Sequence, residues 1–266
     1  MRFFLTDLDK TFLRSDLSIS DFSKEVWNSF DAPLSIATAR SLKGATTLLQ
    51  GLNLNHPMIL LDGAMIATKD EIIKINAIDE DLGNAIIESI EKEFHTLPLI
   101  VGLDEKNKER FLYPAKLNIH QKMLLEKYKN DSRVLNLQKL RALPTNLKIV
   151  YLGDEEEMRK LETFVKENFE VETKLSQDPY QPSWFLTILH PLGDKAHALA
   201  ELEKIIGVEA QDVTVFGDSH NDIGMFVKSG RAIAVKNALP EVKEHAHIIL
   251  PHTNDEDAVA RYLSSL

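Results

Sequence analysis

The sequence predicts an α/β protein in which a parallel-sheet core is interrupted by an inserted α+β domain. Three observations carry that prediction. Short apolar runs alternate with amphipathic helical patterns over residues 1–80 and 188–266, the rhythm of strand, crossover helix and parallel strand. Between them, over residues 81–187, neighbouring strands follow one another without an intervening helix, which implies antiparallel pairing. Finally, two acids, Asp7 and Asp9, stand directly after the first apolar run, where a core strand would end.

Element by element, the apolar residues 3–5 read as the first strand, and Ser20-Asp21 caps a helix running through Val26 to Phe30. Residues 33–37 form a second strand. A helical pattern through Leu48 and Leu49 ends near Gly51, and residues 58–61 form a buried-looking strand. In the middle, a helix over 81–94 precedes short strands over 99–103 and 110–113, then helix and irregular turns. A comparable set follows: strand 147–152, helix 154–168, and strands near 169–175 and 185–189. The acidic run 154–157 sits in the first turn of that helix, where negative charge complements the dipole. The stretch 178–182, with Pro179 and Pro182, reads as a connecting loop. The core rhythm then resumes with helix 195–206 stopping at Gly207, strands 213–216, 233–235 and 248–250, and a closing helix 255–263.

Composition narrows the function. The 266 residues are 44% hydrophobic and 27% charged, ordinary for a folded globular chain. A net charge of −10 argues against nucleic acid as a partner, because binding a phosphate backbone needs a basic face. The chain has no cysteine, which excludes disulfides, thiolate metal sites and cysteine nucleophiles and fits a cytoplasmic location. Asp7 follows Met1 too closely for a signal-peptide core, and no apolar stretch approaches the roughly 18 residues that span a bilayer, so no membrane partner is expected.

Side chains two apart on a strand point the same way, so Asp7 and Asp9 would share one small volume. Two close carboxylates repel, and coexist if a divalent cation binds between them or if one holds a proton. Four segments fall at strand ends or at the helix starts beyond them: Asp7-Leu8-Asp9-Lys10-Thr11, Ala37-Thr38-Ala39-Arg40, Asp194-Lys195, and Gly217-Asp218-Ser219-His220-Asn221-Asp222. Their carboxylates, hydroxyl and ammonium suit a magnesium-assisted reaction at phosphorus. Thr38 and neighbouring backbone N–H groups would bind phosphoryl oxygens. Asn221 and Asp222 could equally cap the following helix, and His220 could line a pocket or face solvent.

In these four segments, taken in order, the sequence resembles the haloacid dehalogenase superfamily of aspartyl-phosphate phosphatases, and within it the Cof-type branch with a large α/β cap. The resemblance covers essentially the whole chain, and Ala234-Val235-Lys236-Asn237-Ala238 resembles the segment that follows the fourth motif in that branch. It implies a Rossmann-like core over 1–80 and 188–266 and a C2-type cap over 81–187. It implies hydrolysis of a small phosphorylated metabolite such as a sugar phosphate or a phosphorylated cofactor. Asp7 would be the nucleophile, Asp9 the general acid and base, and Lys195 a catalytic cation. Phosphate would bind at Thr38, Ala39, Lys195 and Asn221; Mg2+ would be held by Asp7, the Asp9 carbonyl and Asp218, with Asp222 behind them. Arg40, Lys10 and His220 would be possible substrate contacts. A phosphomutase and a non-catalytic phosphate-binding protein are the competing readings. Three positions depart from the usual pattern: Lys10 and Ala39 stand where glycine is common, and Asp62 where asparagine is common. Lys10 would narrow the entrance, face the phosphate or reach solvent.

Overall fold

The computed structural model describes residues 2–178 and 181–266; of the expected 178–182 loop, Pro179 and Tyr180 lie outside the described residues. The chain divides into two compact units, Met1–Ile75 with Asp194–Leu266, and Asn76–Gly193. The first stretch runs β1 (Phe3–Thr6), α1 (Asp21–Ser29), β2 (Leu34–Ile36), α2 (Leu42–Leu48), β3 (Met58–Leu60), β4 (Met65–Ala67) and β5 (Ile72–Ile75). The inserted unit runs β6 (Ile78–Asp79), α3 (Glu80–Phe94), β7 (Leu99–Leu103), β8 (Glu109–Pro114), α4 (Ile119–Glu126), β9 (Val134–Leu137), β10 (Thr145–Gly153), α5 (Glu155–Asn168), β11 (Glu172–Gln177) and β12 (Trp184–Leu189). The chain then returns through α6 (Lys195–Ile206), β13 (Val213–Gly217), α7 (Ile223–Lys228), β14 (Arg231–Ala234), α8 (Pro240–Glu244), β15 (Ile248–Ile249) and α9 (Ala258–Leu263).

In the first unit five parallel strands lie in the order β15-β14-β13-β1-β2. β1 is buried at all four residues, as its run of Phe3, Phe4, Leu5 and Thr6 requires for a strand covered on both faces. β3 departs from the expected parallel pattern. Just past β2 it keeps a parallel bridge, Ala37 to Ile59, but it pairs antiparallel with β4, which pairs with β5 in a separate three-stranded sheet. The sequence reading missed this hairpin, because β5 is largely exposed and its apolar residues lack a buried partner face. The turn that opens the hairpin is left-handed at three consecutive residues, Leu61, Asp62 and Gly63, with φ of 54°, 63° and 118°. Gly63 has no alternative, since a Cβ there would lie 2.2 Å from the Asp194 carbonyl oxygen.

The second unit is a sheet in the order β11-β12-β10-β7-β8-β9, antiparallel except for β8 with β9, and β6 pairs with β10. α3 and α5 cover one face. Ile86, Ile90, Met158, Leu161 and Val165 pack there on Ile149, Tyr151, Leu186 and Ile188. Leu124 and Leu125 of α4 cover Leu99, Val150 and Leu152. β9, within a stretch expected to be helix and turns, is short and half-exposed, so its pattern carries little periodicity. The expected closing helix begins later, at Ala258, after a tight turn over Asn254–Glu256 that breaks at left-handed Asp257. Among the described residues no helix is long and apolar enough to cross a membrane.

Gly63→Ala combines a backbone clash with a disfavoured φ, and the expected cost exceeds about 2 kcal/mol. Chemical denaturation against the parent checks it, and an unchanged midpoint would show that the Gly63 turn relaxes freely.

Candidate active site

Three parallel strand ends create the site. Pairing continues one residue past β1: the Asp7 N–H donates to the Phe216 carbonyl and the Ala37 N–H to the Thr6 carbonyl, each at 2.9 Å. The register, Thr6 opposite both Phe216 and Ile36, therefore brings Asp7, the start of the Asp218 loop and Thr38 to one edge of the sheet. Lys195 reaches the same place from the first turn of α6. The N-cap Asp194 accepts from the Ala196 and His197 N–H groups at 2.7 and 2.9 Å and fixes that turn.

The Lys195 side chain is wholly buried and donates to Asp7 Oδ1 at 2.7 Å and Asp222 Oδ1 at 2.8 Å. Asp222 Oδ2 accepts from the Asp218 and Ser219 N–H groups at 3.0 and 3.1 Å. The Thr11 hydroxyl donates to Asp218 Oδ1 at 2.9 Å. A Cβ at Gly217 would come within 2.7 Å of the Asp222 side chain, so this approach requires glycine. Oxygens of Asp7, Asp218 and Asp222, all buried, lie within 4.8 Å of one another.

One ammonium does not balance three carboxylates, and the acidities show it. Burial pushes Asp7 well above the usual carboxylate range against the pull of Lys195, and Asp222 and Asp218 push it further. Asp218 is pushed up to about 7 by burial and then by Asp222, opposed by the Thr11 hydroxyl, Lys195 and Lys10. Burial alone would depress Lys195, but Asp222 and Asp7, with Asp62 beyond them, hold it above its usual value. Hard oxygen donors with uncompensated negative charge are the donor set of a small divalent cation such as Mg2+, so the residues present fit that ion. Asp222 is already committed to Lys195 and two backbone N–H groups. Asp7 and Asp218 therefore have the charge to give.

The remaining expected residues are placed as follows. Asp9 is half-buried and gripped by Arg40, whose Nε donates to Oδ2 at 2.7 Å and whose terminal nitrogen donates to Oδ1 at 2.5 Å. Arg40, expected as a substrate contact, is thus first a partner of Asp9. The Thr38 hydroxyl oxygen accepts from the Arg40 N–H at 3.2 Å and the Thr38 carbonyl from the Asp62 N–H at 3.1 Å; Ala39 is exposed. Lys10 is half-buried in a left-handed turn, and its charge lowers Asp218. Asn221 donates to Asp62 Oδ1 at 3.0 Å and accepts from the Ser219 hydroxyl at 2.7 Å. His220 is exposed, with Nε2 4.0 Å from Glu241 Oε2. Three partnerships were not read from the sequence: Thr11 with Asp218, Arg40 with Asp9, and Asp62 with Asn221. Only the last had a signal, the replacement of a common asparagine.

The profile of the haloacid dehalogenase-like hydrolases matches residues 4–263. The chain is 28% identical to the Bacillus subtilis 5-amino-6-(5-phospho-D-ribitylamino)uracil phosphatase YwtE, with 100% of this chain and 98% of the relative covered. It is 25% identical to the HMP-PP phosphatase of Serratia proteamaculans, covering 97% of this chain and 92% of that one. Among solved structures, TM0651 from Thermotoga maritima superposes with a TM-score of 0.77 at 23% identity, covering 100% and 97% of the two chains. A Streptococcus mutans protein, SMU.1108c, superposes with a TM-score of 0.82 at 20% identity, covering 100% and 98%.

A cation held by Asp7 and Asp218 would compete with protons for them. Because folding raises these acids, their ionisation costs stability, so without a cation stability falls as pH rises from the ordinary carboxylate value of 3.8 toward about 7. Added Mg2+ should then raise the thermal midpoint more at about pH 8 than at about pH 5.5, with a half-saturating concentration that falls as pH rises. Protection independent of pH in calorimetric titrations would separate the cation from these carboxylates.

Proposed function

The chain belongs to the haloacid dehalogenase-like hydrolases, and on that premise we propose that it is a magnesium-dependent phosphatase that passes the phosphoryl group of a small phosphorylated metabolite through Asp7 to water. The observation that carries the reading is the buried set at the strand ends: Asp7 on Lys195, with Asp218 and Asp222 beside it and Asp9 on the adjoining turn.

In the first half-reaction an Asp7 oxygen attacks phosphorus as the bond to the leaving oxygen breaks, and protonated Asp9 gives its proton to that oxygen. In the second, water attacks the aspartyl phosphate, its proton passes to the Asp9 carboxylate, and inorganic phosphate leaves as Asp7 is restored. Lys195 fixes the Asp7 carboxylate and places positive charge beside the transferring group. A divalent cation on Asp7, Asp218 and the Asp9 carbonyl would offset the repulsion between Asp7 and a phosphate dianion. The Thr38 hydroxyl and the Asn221 amide are the neutral donors for phosphoryl oxygens. Both Asp9 oxygens accept from Arg40, so the leaving oxygen and the attacking water must each take Arg40's place at one of them to exchange a proton with Asp9. The two relatives are named for phosphates carried on a ribitylaminouracil and on HMP, which supports a small organic phosphate as substrate.

Asp7→Asn should fold and lose at least ~1000-fold in turnover, because an amide oxygen is a poor nucleophile. Release of inorganic phosphate from a metabolite panel measures it, and turnover within about tenfold of the parent would remove Asp7 from the nucleophile's role. Asp9→Asn should be slow on metabolites but still build covalent phosphate on Asp7 from an aryl phosphate, whose leaving group needs no proton; mass spectrometry reads the adduct.

Chelation should abolish activity and Mg2+ restore it, whereas Ca2+, with longer bonds and more ligands, should support little. Full activity after exhaustive chelation would contradict the metal assignment.

A further inference from the structure

The segment 234–239 beyond the Asp218 loop has no part in the chemistry above, yet it ties together both loops that carry the carboxylates. On one side the Leu239 N–H donates to the Asp218 carbonyl at 2.9 Å and the Val235 N–H to the Gly217 carbonyl at 3.3 Å. On the other, Asn237 Nδ2 donates to the Lys10 carbonyl at 2.8 Å, while its Oδ1 accepts from the Asn254 N–H at 2.9 Å. Asn254 in turn donates to the Leu13 carbonyl at 3.0 Å, so the far end of the same turn is anchored too.

The Lys10 carbonyl matters because of the backbone it belongs to. Lys10 has φ 58° and ψ 10°, the left-handed region that disfavours a side chain with a Cβ. Its neighbours pull in different directions: Asp9 is bound to Arg40, and Thr11 to Asp218. The left-handed residue Lys10 lies between these two contacts in the chain.

We propose that Asn237 is a positioning residue: its amide, donating to the Lys10 carbonyl, keeps Lys10 left-handed and so fixes Asp9 relative to Asp7 and Asp218. The proposal rests on the reading of Asp7 and Asp9 given above. Glycine enters the left-handed region without steric cost, so a glycine at position 10 should need this anchor less than lysine does.

That difference supplies the test, a double-mutant cycle on kcat with an aryl phosphate and Mg2+. Asn237 is exposed, so Asn237→Ala and Asn237→Asp should fold; the aspartate keeps the acceptor for Asn254 but cannot donate to Lys10. Both should lower kcat about tenfold with little change in KM or thermal midpoint, and the loss should shrink to about twofold or less when made in Lys10→Gly. Equal losses in the two backgrounds would mean that Asn237 acts on something other than the Lys10 turn. No loss in either would mean that the turn holds without it. Both results would overturn the proposal. Asp7→Asn run alongside distinguishes the premise: if that variant turned over, the site reading itself would fall, whatever Asn237 did.

Discussion

The Lys195 ammonium, buried between Asp7 and Asp222, is the contact on which the rest of the site depends. A lysine out of water is costly unless paired, and a carboxylate likewise, so neither partner tolerates loss of the other. The fold meets this with geometry fixed from three directions. Parallel register sets Asp7, the Asp194 cap sets the first turn of α6, and the Asp218 and Ser219 N–H groups fix Asp222. The balance is deliberately incomplete, since Asp218 remains near a pKa of about 7 with Asp7 also raised. Raised acids of this kind take up a proton or a cation readily.

Strain gathers around that contact. Lys10, Leu61 and Asp62 are non-glycine residues at positive φ, and each lies in a loop bearing on the site. Left-handed backbone at such residues costs on the order of 1 kcal/mol each and persists only where surrounding contacts over-determine it. Those contacts come from distant sequence. Asn254 and Asn237 grip the Leu13 and Lys10 carbonyls, and Asp257 holds Arg14 at 2.8 Å, so the last residues of the chain brace the first loop. The Asp62 turn is braced by Thr38, Arg40 and Asn221.

The fold class was legible because it rests on local information: apolar runs such as 3–5 and 213–216, the Ser20 cap, and a glycine stop at Gly207. What escaped had weak local pattern. The β4–β5 hairpin and β9 are short and partly exposed, and β3 turns to an antiparallel partner although its sequence suits a parallel sheet. Periodicity reports which residues are buried, not which strand they pair with.

The sequence by itself determined the inventory and its order: two acids after the first strand, Thr38 after the second, a lysine opening a helix, and two more acids after a later strand, in a family profile spanning residues 4–263. Only the tertiary structure decided the partnerships. Arg40 turned out to grip Asp9, Thr11 to serve Asp218, Asp62 to meet Asn221, and Asn237 to reach back to Lys10. Each joins residues far apart in the chain, and their meeting depends on the register of parallel strands and on left-handed turns. Those are set by the sum of packing and hydrogen bonding across the unit, so residue type and spacing along the chain mark the unusual positions, such as Lys10 and Asp62, but not the partners they meet.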